Sequence, residues 1–508
     1  VYHERDGIMK SVIIIGSGIG GLVAGNLLAK KGHKVTIFEG HSMPGGYTAG
    51  FYRKGYYFES GTLGFESSAT VFKAMRDTGI LNRLEFIKLG MGVASGDFDG
   101  NPTNYKEFKE ILYSAFPPDK DKLDSAFAET DNIIDTLMGD SDFIIPWVTS
   151  GVDKIKSILA TLPKLPGIIS LTRRYGNITA SEFAARHFEK DSKLYRLFRH
   201  FSYPETSAIL LSTAMGGVFD EVWTVREGMQ SWADALAENF EELGGELKLS
   251  SPVDRIITRN GAASGVSCKG TVYESDCVIS AGDYKKTFLR LLDDRSLIPQ
   301  QLQDKVERAE VSEGFFTVYL GLDMPAEKLA RYMKACHVCC FDSKQDCDIY
   351  NADDAEYFSK AVYYLYSPSM VNPAHAPSGK SSLMLQVRAT HRWMDDWGGG
   401  NREVYGQLKQ KAMDTLIDRA AELIPGLKEC IEYKDAATPL TYERFTQNTG
   451  GASCAWSWNP KKSFFKETIG VNVKTPVKNL YIGSCWAMQI GGVPGAIAAA
   501  YRCVREIG

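Results

Sequence analysis

Three glycines and one acid are the first residues in this chain whose types and spacing carry chemistry. In VIIIGSGIGGLVAGNLLAKKGHKVTIFEG, residues 12–40, Gly16, Gly18 and Gly21 stand in G-x-G-x-x-G order, and Glu39 closes the next apolar run. Gly16 permits a tight turn, Gly18 leaves the backbone bare where a pyrophosphate must approach, and Gly21 lets a helix lie close to the strand before it. Ser17, Ile19 and Gly20 complete the loop at the start of that helix, where backbone N–H groups point at phosphate. Glu39, with Gly40 behind it, comes about twenty residues on, where a carboxylate grips ribose hydroxyls. An acid there repels a 2′-phosphate, which argues against NADP at this site.

The flanking pattern has the elements needed to position these groups. Residues 12–15 are a β-branched run suited to a buried parallel strand, 22–31 read as a helix stopped at Gly32, and 34–38 as the strand that delivers the acid. A second glycine pair, Gly45 and Gly46, follows the acid closely and is continued by Tyr47 and Thr48. Backbone meeting the ligand again so soon suits a cofactor longer than a nicotinamide dinucleotide, one whose ribityl chain and ring system run on through the domain. GYYFESG then reads as a short strand ending in Glu59.

The far end of the chain repeats the theme. NLYIGS is a strand and a glycine turn at Gly483 and Ser484, and GGVPGAIAAAY starts a helix at Gly492, Val493 and Ala496. The helix, expected over 496–507, turns its partly positive N-terminus towards the cofactor, which favours an anionic reduced ring. Between these blocks, residues 246–282 read as strand, turn, strand, turn, strand, and a strand near Val253 is placed to cover an adenine.

These three blocks, in this order, resemble the phytoene desaturase family of flavin enzymes, with carotenoid isomerases and retinol saturases as close relatives and amine oxidases sharing the fold. The resemblance runs over essentially the whole chain from Met9. ATPLTYERFTQNTGGA, residues 437–452, is similar to a block of the saturase-like and isomerase-like branch, and NLYIGS…GGVPGAI resembles the family's C-terminal signature. Three departures stand out: Tyr47–Thr48 where the family often has Arg or Lys, Gly483–Ser484 where it has Gly-Asp, and SCAW after the glycine block where it has an aromatic–glycine pair.

The resemblance implies an α/β fold, with a Rossmann-type FAD-binding domain interleaved with a mixed-sheet substrate domain and a helical lid. The FAD-binding domain is expected over 9–75, 225–290 and 470–508, the helical lid and substrate region over 76–224, and the mixed-sheet domain over 291–469. It also implies non-covalently held FAD and a lipophilic polyene or isoprenoid substrate. Three reactions are open on such a scaffold: desaturation, saturation, and flavin-dependent cis–trans isomerisation. The 437–452 block leans towards the last two.

Two other classes stay in view. An amine oxidase would need an aromatic cage, for which Tyr442, Trp456 and Trp458 are candidates; a non-enzymatic flavoprotein sensor would need an output domain, and none is visible. A second nicotinamide fingerprint is not found either. LGMGVASG, residues 89–96, has G-x-G spacing, but turn chemistry follows it, so it reads as a hairpin.

The rest of the chain narrows the classes further. A net charge of −4 over 508 residues gives no nucleic-acid signature. Ten cysteines at this length are too few for a disulfide scaffold and point to a reducing cytoplasm. The apolar stretch 12–29 is too rich in glycine, and carries Asn26, to be a membrane anchor. Met9 is read as the natural start, with 1–8 an expression remnant or unstructured tail. CHVCC, residues 336–340, contains C-x-x-C, but lacks a second ligand pair; a strand with Cys336, Val338 and Cys340 on one face explains it, and no metal is expected.

Cys454 sits where monoamine oxidases attach their flavin, though a small buried thiol is the commoner fate of such a residue. Glu59, Tyr442 and Arg444 could approach the substrate, but structural hydrogen bonds and ion pairs are the commoner role of such groups, and no catalytic acid or base is assigned. Residues 151–176 set Lys154, Lys156, Lys164, Arg173 and Arg174 against Ile155, Ile158, Leu159, Leu162, Ile168 and Ile169. That pattern suits either a membrane-surface entrance for a lipid or an ordinary lid helix.

Overall fold

In the computed structural model, which describes residues 9–96, 98–138, 148, 159, 162–219, 221–341, 346–467 and 473–508, five short apolar runs pair into one parallel sheet. Its order is Leu480–Ile482, Cys277–Ser280, Ser11–Ile15, Lys34–Phe38, Glu246–Lys248. Ile13 lies between Val278 and Thr36, so the strand that feeds the glycine loop is central and buried. The first helix, Ile19–Lys30, packs against the last, Gly492–Ile507, and against Met229–Glu242. Asn26 is fully buried at this junction. Its amide donates to the Leu22 and Leu236 carbonyls (2.9 and 2.8 Å), and its carbonyl accepts from Asn239 (2.7 Å). Buried polar atoms demand such partners, so this side chain fixes the helix pair in one register.

The second sheet has seven strands in the order Ile431–Ala437, Gly314–Leu322, Ser381–Ala389, Tyr363–Tyr366, His337–Cys340, Met91–Ala94, Asp99–Gly100. It is antiparallel apart from the pairing of His337–Cys340 with Met91–Ala94, hence mixed. Alternation along its central strands makes two faces. Phe316, Val318, Leu320, Leu383, Leu385 and Val387 are buried with residues of the helix Arg402–Leu423. The opposite face carries Phe315, Thr317 and Tyr319 beside Arg388, Gln386 and Met384, and it looks towards the first domain: Tyr319 donates to the Ser60 carbonyl (3.3 Å) and Gln386 to that of Gly61 (3.5 Å). A third layer of helices, including Tyr105–Ala115, Lys120–Met138 and Ala180–His187, closes around Phe108, Phe127, Phe183 and Phe198.

Element types agree with the sequence reading, and the differences have local causes. The last helix starts at Gly492, four residues before the expected 496, because Pro494 falls in its first turn, where a missing N–H is tolerated. The hairpin read at 89–96 is real, but its strands, Met91–Ala94 and Asp99–Gly100, extend the mixed sheet although they lie within the span assigned to the lid. CHVCC forms the strand His337–Cys340, with Val338 and Cys340 in one core and Cys339 in another. Among the described residues, no group of side chains could hold a metal.

Glu59 takes the structural of its two readings. Its fully buried carboxyl accepts from the Met229 N–H (3.0 Å) and the Tyr57 hydroxyl (2.9 Å), so it caps the helix Met229–Glu242 rather than reaching the substrate. Burial pushes its pKa from 4.5 up to about 8, with the two hydrogen bonds pulling back. Below pH 4.5 the group is neutral in folded and unfolded chains alike. Between 4.5 and 8 only the unfolded chain ionises, so stability falls as pH rises, by at most about 1.4 kcal/mol per unit, and the loss stops above 8. Glu59→Gln removes this slope. The melting temperature of E59Q is expected to gain several degrees on wild type between pH 5 and pH 8; a constant difference would mean that the carboxyl is ionised in the fold.

Candidate active site

The first loop is shaped by backbone meeting backbone. Gly16 has φ +97°, a region costly for any side chain. A Cβ on Gly21 would overlap the Gly16 carbonyl, and one on Gly20 would overlap the Gly483 carbonyl. Gly18 is different: a Cβ there meets nothing within 4 Å. It is the N-cap of the first helix, and no side chain caps that end. The loop therefore has open space beside uncapped N–H groups, which is the cradle a pyrophosphate fits. Glu39 is held next to it, accepting from the Ser17 N–H and hydroxyl (2.8 and 2.7 Å) and from the His41 N–H (2.8 Å). Gly40 lies against Pro252, and Val253 follows at the start of the strand Val253–Arg259, packed on the same core.

Gly45 and Gly46, both at positive φ, pair with the first loop through Gly18 and the bond from the Gly45 N–H to the Ser17 carbonyl (3.0 Å). Thr48 turns its hydroxyl back on the Gly45 carbonyl (2.7 Å). Tyr47 reaches the Gly451 carbonyl (2.6 Å) and stacks on Tyr442 at 5.6 Å, nearly parallel. From the other chain end, Ser484 donates to the Gly282 carbonyl (2.7 Å), and Gly492, Val493 and Ala496 lie in the opening turns of the last helix. Residues expected at the cofactor thus converge on one side of the parallel sheet, from four separate stretches of chain.

Beyond Tyr47 lies a recess lined by polar side chains. Glu66, Tyr203, Arg388, Cys454 and Cys485 are surrounded by enough protein to shift their ionisation, yet each keeps accessible surface. Arg388 lays its guanidinium over the Tyr203 ring, 3.7 Å from the centroid, with Phe315 5.5 Å away. The Tyr203 hydroxyl meets the Cys454 sulfur at 2.8 Å, and burial pushes that thiol's pKa up. Trp458 flanks Tyr203 (5.1 Å between rings) and touches the place where a Cβ of Gly491 would stand. Burial pushes the Glu66 carboxyl up, against the pull of the Arg388 charge, and does the same to Glu313, whose Oε1 accepts from the Tyr350 hydroxyl.

Several expected residues lie elsewhere. Trp456 stacks on Phe464 at 4.1 Å in the core, and Arg444 lies on the surface over Phe445, so Tyr442, Trp456 and Trp458 do not form one aromatic cage. Tyr442 does reach the floor of the recess, bonded to Thr317 (2.7 Å). Conversely, Arg388, Tyr203, Glu66 and Glu313 were not singled out from sequence. The signal for Arg388 was present: it is a lone cation in SSLMLQVRA, a strand otherwise buried along its length.

The chain matches the family described as flavin containing amine oxidoreductase over residues 19–508. It is 24% identical to an all-trans-retinol 13,14-reductase of Danio rerio, over 97% of this chain and 84% of that one. It is also 24% identical to a chloroplastic prolycopene isomerase of Daucus carota, over 86% and 71%. Its fold is like that of wild-type putrescine oxidase bound to putrescine: TM-score 0.64, 15% identity, 98% of each chain.

The two central loop glycines make separable predictions. Gly20→Ala pushes into the Gly483 carbonyl and is expected to cost about 1–3 kcal/mol of stability. Gly18→Ala meets only open space in the protein, so it should leave the melting temperature of flavin-free chain unchanged while weakening flavin retention about tenfold or more. Flavin-to-protein absorbance ratios and thermal melts distinguish these; wild-type flavin retention in G18A would remove Gly18 from the cradle.

Proposed function

This chain belongs to the flavin-containing amine oxidoreductase family, and we propose that it holds FAD and applies it to a carbon–carbon double bond of a lipophilic polyene or isoprenoid. The observation that carries the choice of substrate is the charge on the wall of the recess. The guanidinium of Arg388 is permanently protonated and repels an ammonium group, whereas an uncharged polyene offers it no charge to repel. The rings of Tyr47, Tyr203, Phe315 and Trp458 offer an apolar body the contact it needs. The names of the Danio rerio and Daucus carota relatives, a retinol reductase and a prolycopene isomerase, support the same class.

In this reading Gly16, Ser17, Gly18, Ile19, Gly20 and Gly21 receive the pyrophosphate, Glu39 and Gly40 the ribose, and Val253 the adenine. Gly45, Gly46, Tyr47 and Thr48 meet the cofactor further along, with Gly483, Ser484, Gly492, Val493 and Ala496 closing from the other side. Ser484, already tied to Gly282, stands where an acid is usual in the family and leaves that contact uncharged. When bound, FAD supplies a two-electron donor and acceptor for hydride. The chain's own part is to hold the substrate still and dry: Thr317, Tyr319, Gln386 and Tyr442 bond to one another or to Ser60 and Gly61, so the roof is rigid. The 437–452 block and the two relatives favour chemistry that starts from reduced flavin, saturation or cis–trans isomerisation.

Anaerobic mixing with a panel of polyenes, with oxidised and then photoreduced flavin, tests this by absorbance. A blue-shifted polyene with reduced flavin means saturation, loss of the cis band without flavin turnover means isomerisation, and a red shift with oxidised flavin means desaturation. No change in either state, with peroxide formed from amines in air, would transfer the chain to the amine oxidases.

The substrate is taken from a membrane surface in this proposal. Lys154, Ile155, Lys156 and Ile158 lie outside the described residues. Within them, Leu162–Lys164 and the helix Leu165–Tyr175 leave Leu162, Leu165 and Ile169 exposed (49, 39 and 49%), with Arg173 and Arg174 also on the surface; Leu159 is exposed as well (59%). Exposed apolar side chains beside cations suit an anionic lipid surface. No described helix is long and apolar enough to cross a bilayer. Flotation with phosphatidylglycerol-containing vesicles should carry wild type upward and leave a Leu162→Ser/Ile169→Ser double variant behind; wild type that stays at the bottom ends the idea.

A further inference from the structure

We propose that Arg388 anchors a carboxylate at one end of an otherwise apolar substrate. The inference rests on the polyene reading above and specifies the head group that it leaves open.

Two of the three guanidinium nitrogens of Arg388, Nε and Nη1, are buried and have no hydrogen-bond acceptor. Buried donors without partners are uncommon, and a charged one is costly to leave unpaired. Arg388 stacks on the face of the Tyr203 ring and hydrogen-bonds with the Tyr364 hydroxyl. Stacking fixes the plane of the guanidinium, while its N–H groups stay in that plane, available to an acceptor arriving edge-on. Tyr364 lies beside it as a neutral hydroxyl. Two carboxylates stand within its electrostatic reach, and neither hydrogen-bonds to those two nitrogens: burial pushes the pKa of both Glu66 and Glu313 up, Glu313 Oε1 accepts from Tyr350, and Glu313 Oε2 is buried without a partner.

A second donor is left over on the same side of the recess. The Trp458 Nε1–H is buried without a partner, its ring lies 5.1 Å from that of Tyr203, and Tyr203 is the ring on which Arg388 stacks. Gly491, the N-cap of the last helix, touches Trp458 and the Cys454 carbonyl, so that helix adds its partly positive end nearby. A guanidinium, an indole N–H and a helix N-terminus grouped around one space all select for negative charge. Position matters as well. Arg388 is the cross-strand partner of Phe315 and shares a sheet face with Gln386 and Thr317, which contact Gly61 and Tyr442 beside Tyr47. A head group held at Arg388 therefore keeps the first bonds of the chain, rather than its middle, near the Gly45–Thr48 loop.

The flavin-loaded protein is titrated with all-trans-retinoic acid, its methyl ester and all-trans-retinol, following quenching of tryptophan fluorescence. The acid is expected to bind about 10- to 100-fold more tightly than the ester or the alcohol. Arg388→Gln should bring the acid down to the affinity of the ester and leave the ester unchanged, and Arg388→Lys should retain part of the preference. Flavin content reports whether each variant is folded; should R388Q fail to fold, the wild-type series and R388K decide. Equal binding of all three ligands by wild type, or an acid preference that survives in folded R388Q, overturns the anchor alone. No binding of any of the three overturns the polyene reading and the anchor with it.

Discussion

The site depends on one steric constraint: three stretches of backbone come closer together than any side chain would allow. The first turn of the helix after the glycine loop lies against the Gly16 carbonyl through Gly21 and against the Gly483 carbonyl through Gly20. That double contact brings the segment near residue 20 and the segment near residue 483 to one point. Everything else in the cofactor cradle is arranged from there. Gly18 is left facing open space, Glu39 is pinned by Ser17 and His41, and the last helix is brought alongside the first.

Buried polar groups then act as joints between the layers. Asn26 and Asn239 lock the first helix to Met229–Glu242, Glu59 caps that same helix from a neighbouring hairpin, and Tyr47 ties the second glycine loop to Gly451. Each is satisfied internally, so each specifies a register as well as contributing energy. Arg388 is the contrast. It is less enclosed than Asn26 or Glu59, yet its Nε and Nη1 are buried and lack acceptors. Glu313 Oε2 and Trp458 Nε1 are likewise buried without partners, so these unanswered polar atoms gather on the substrate side in the proposed reading.

The parts of the molecule legible in the sequence are those set by local rules. Gly16 and Gly21 announce their turn because only glycine meets the φ demand of the first and the distance demand of the second, and the strands announce themselves by composition. The substrate side is not local. Tyr203 and Cys454 are brought together from positions 251 residues apart, and Arg388 joins them from a third element, so no window of sequence contains their relationship. Trp456 and Trp458 show the converse. They are two residues apart in the chain, both suited to a cage, but the backbone around them is irregular, with Ala455 at φ +68°, and they reach different places, one into the core against Phe464 and one to Tyr203.

The strand order carries a consequence for biosynthesis. Leu480–Ile482 forms an edge of the parallel sheet, and Gly492–Ile507 supplies the helix that faces the first one. Both are synthesised long after the glycine loop. Until they are made, the loop exists without the backbone that Gly20 must touch, and the sheet presents an unfinished edge at Cys277–Ser280. The cradle is therefore completed late relative to its first loop, and a nascent chain must keep its exposed sheet from pairing with others until that strand and helix arrive.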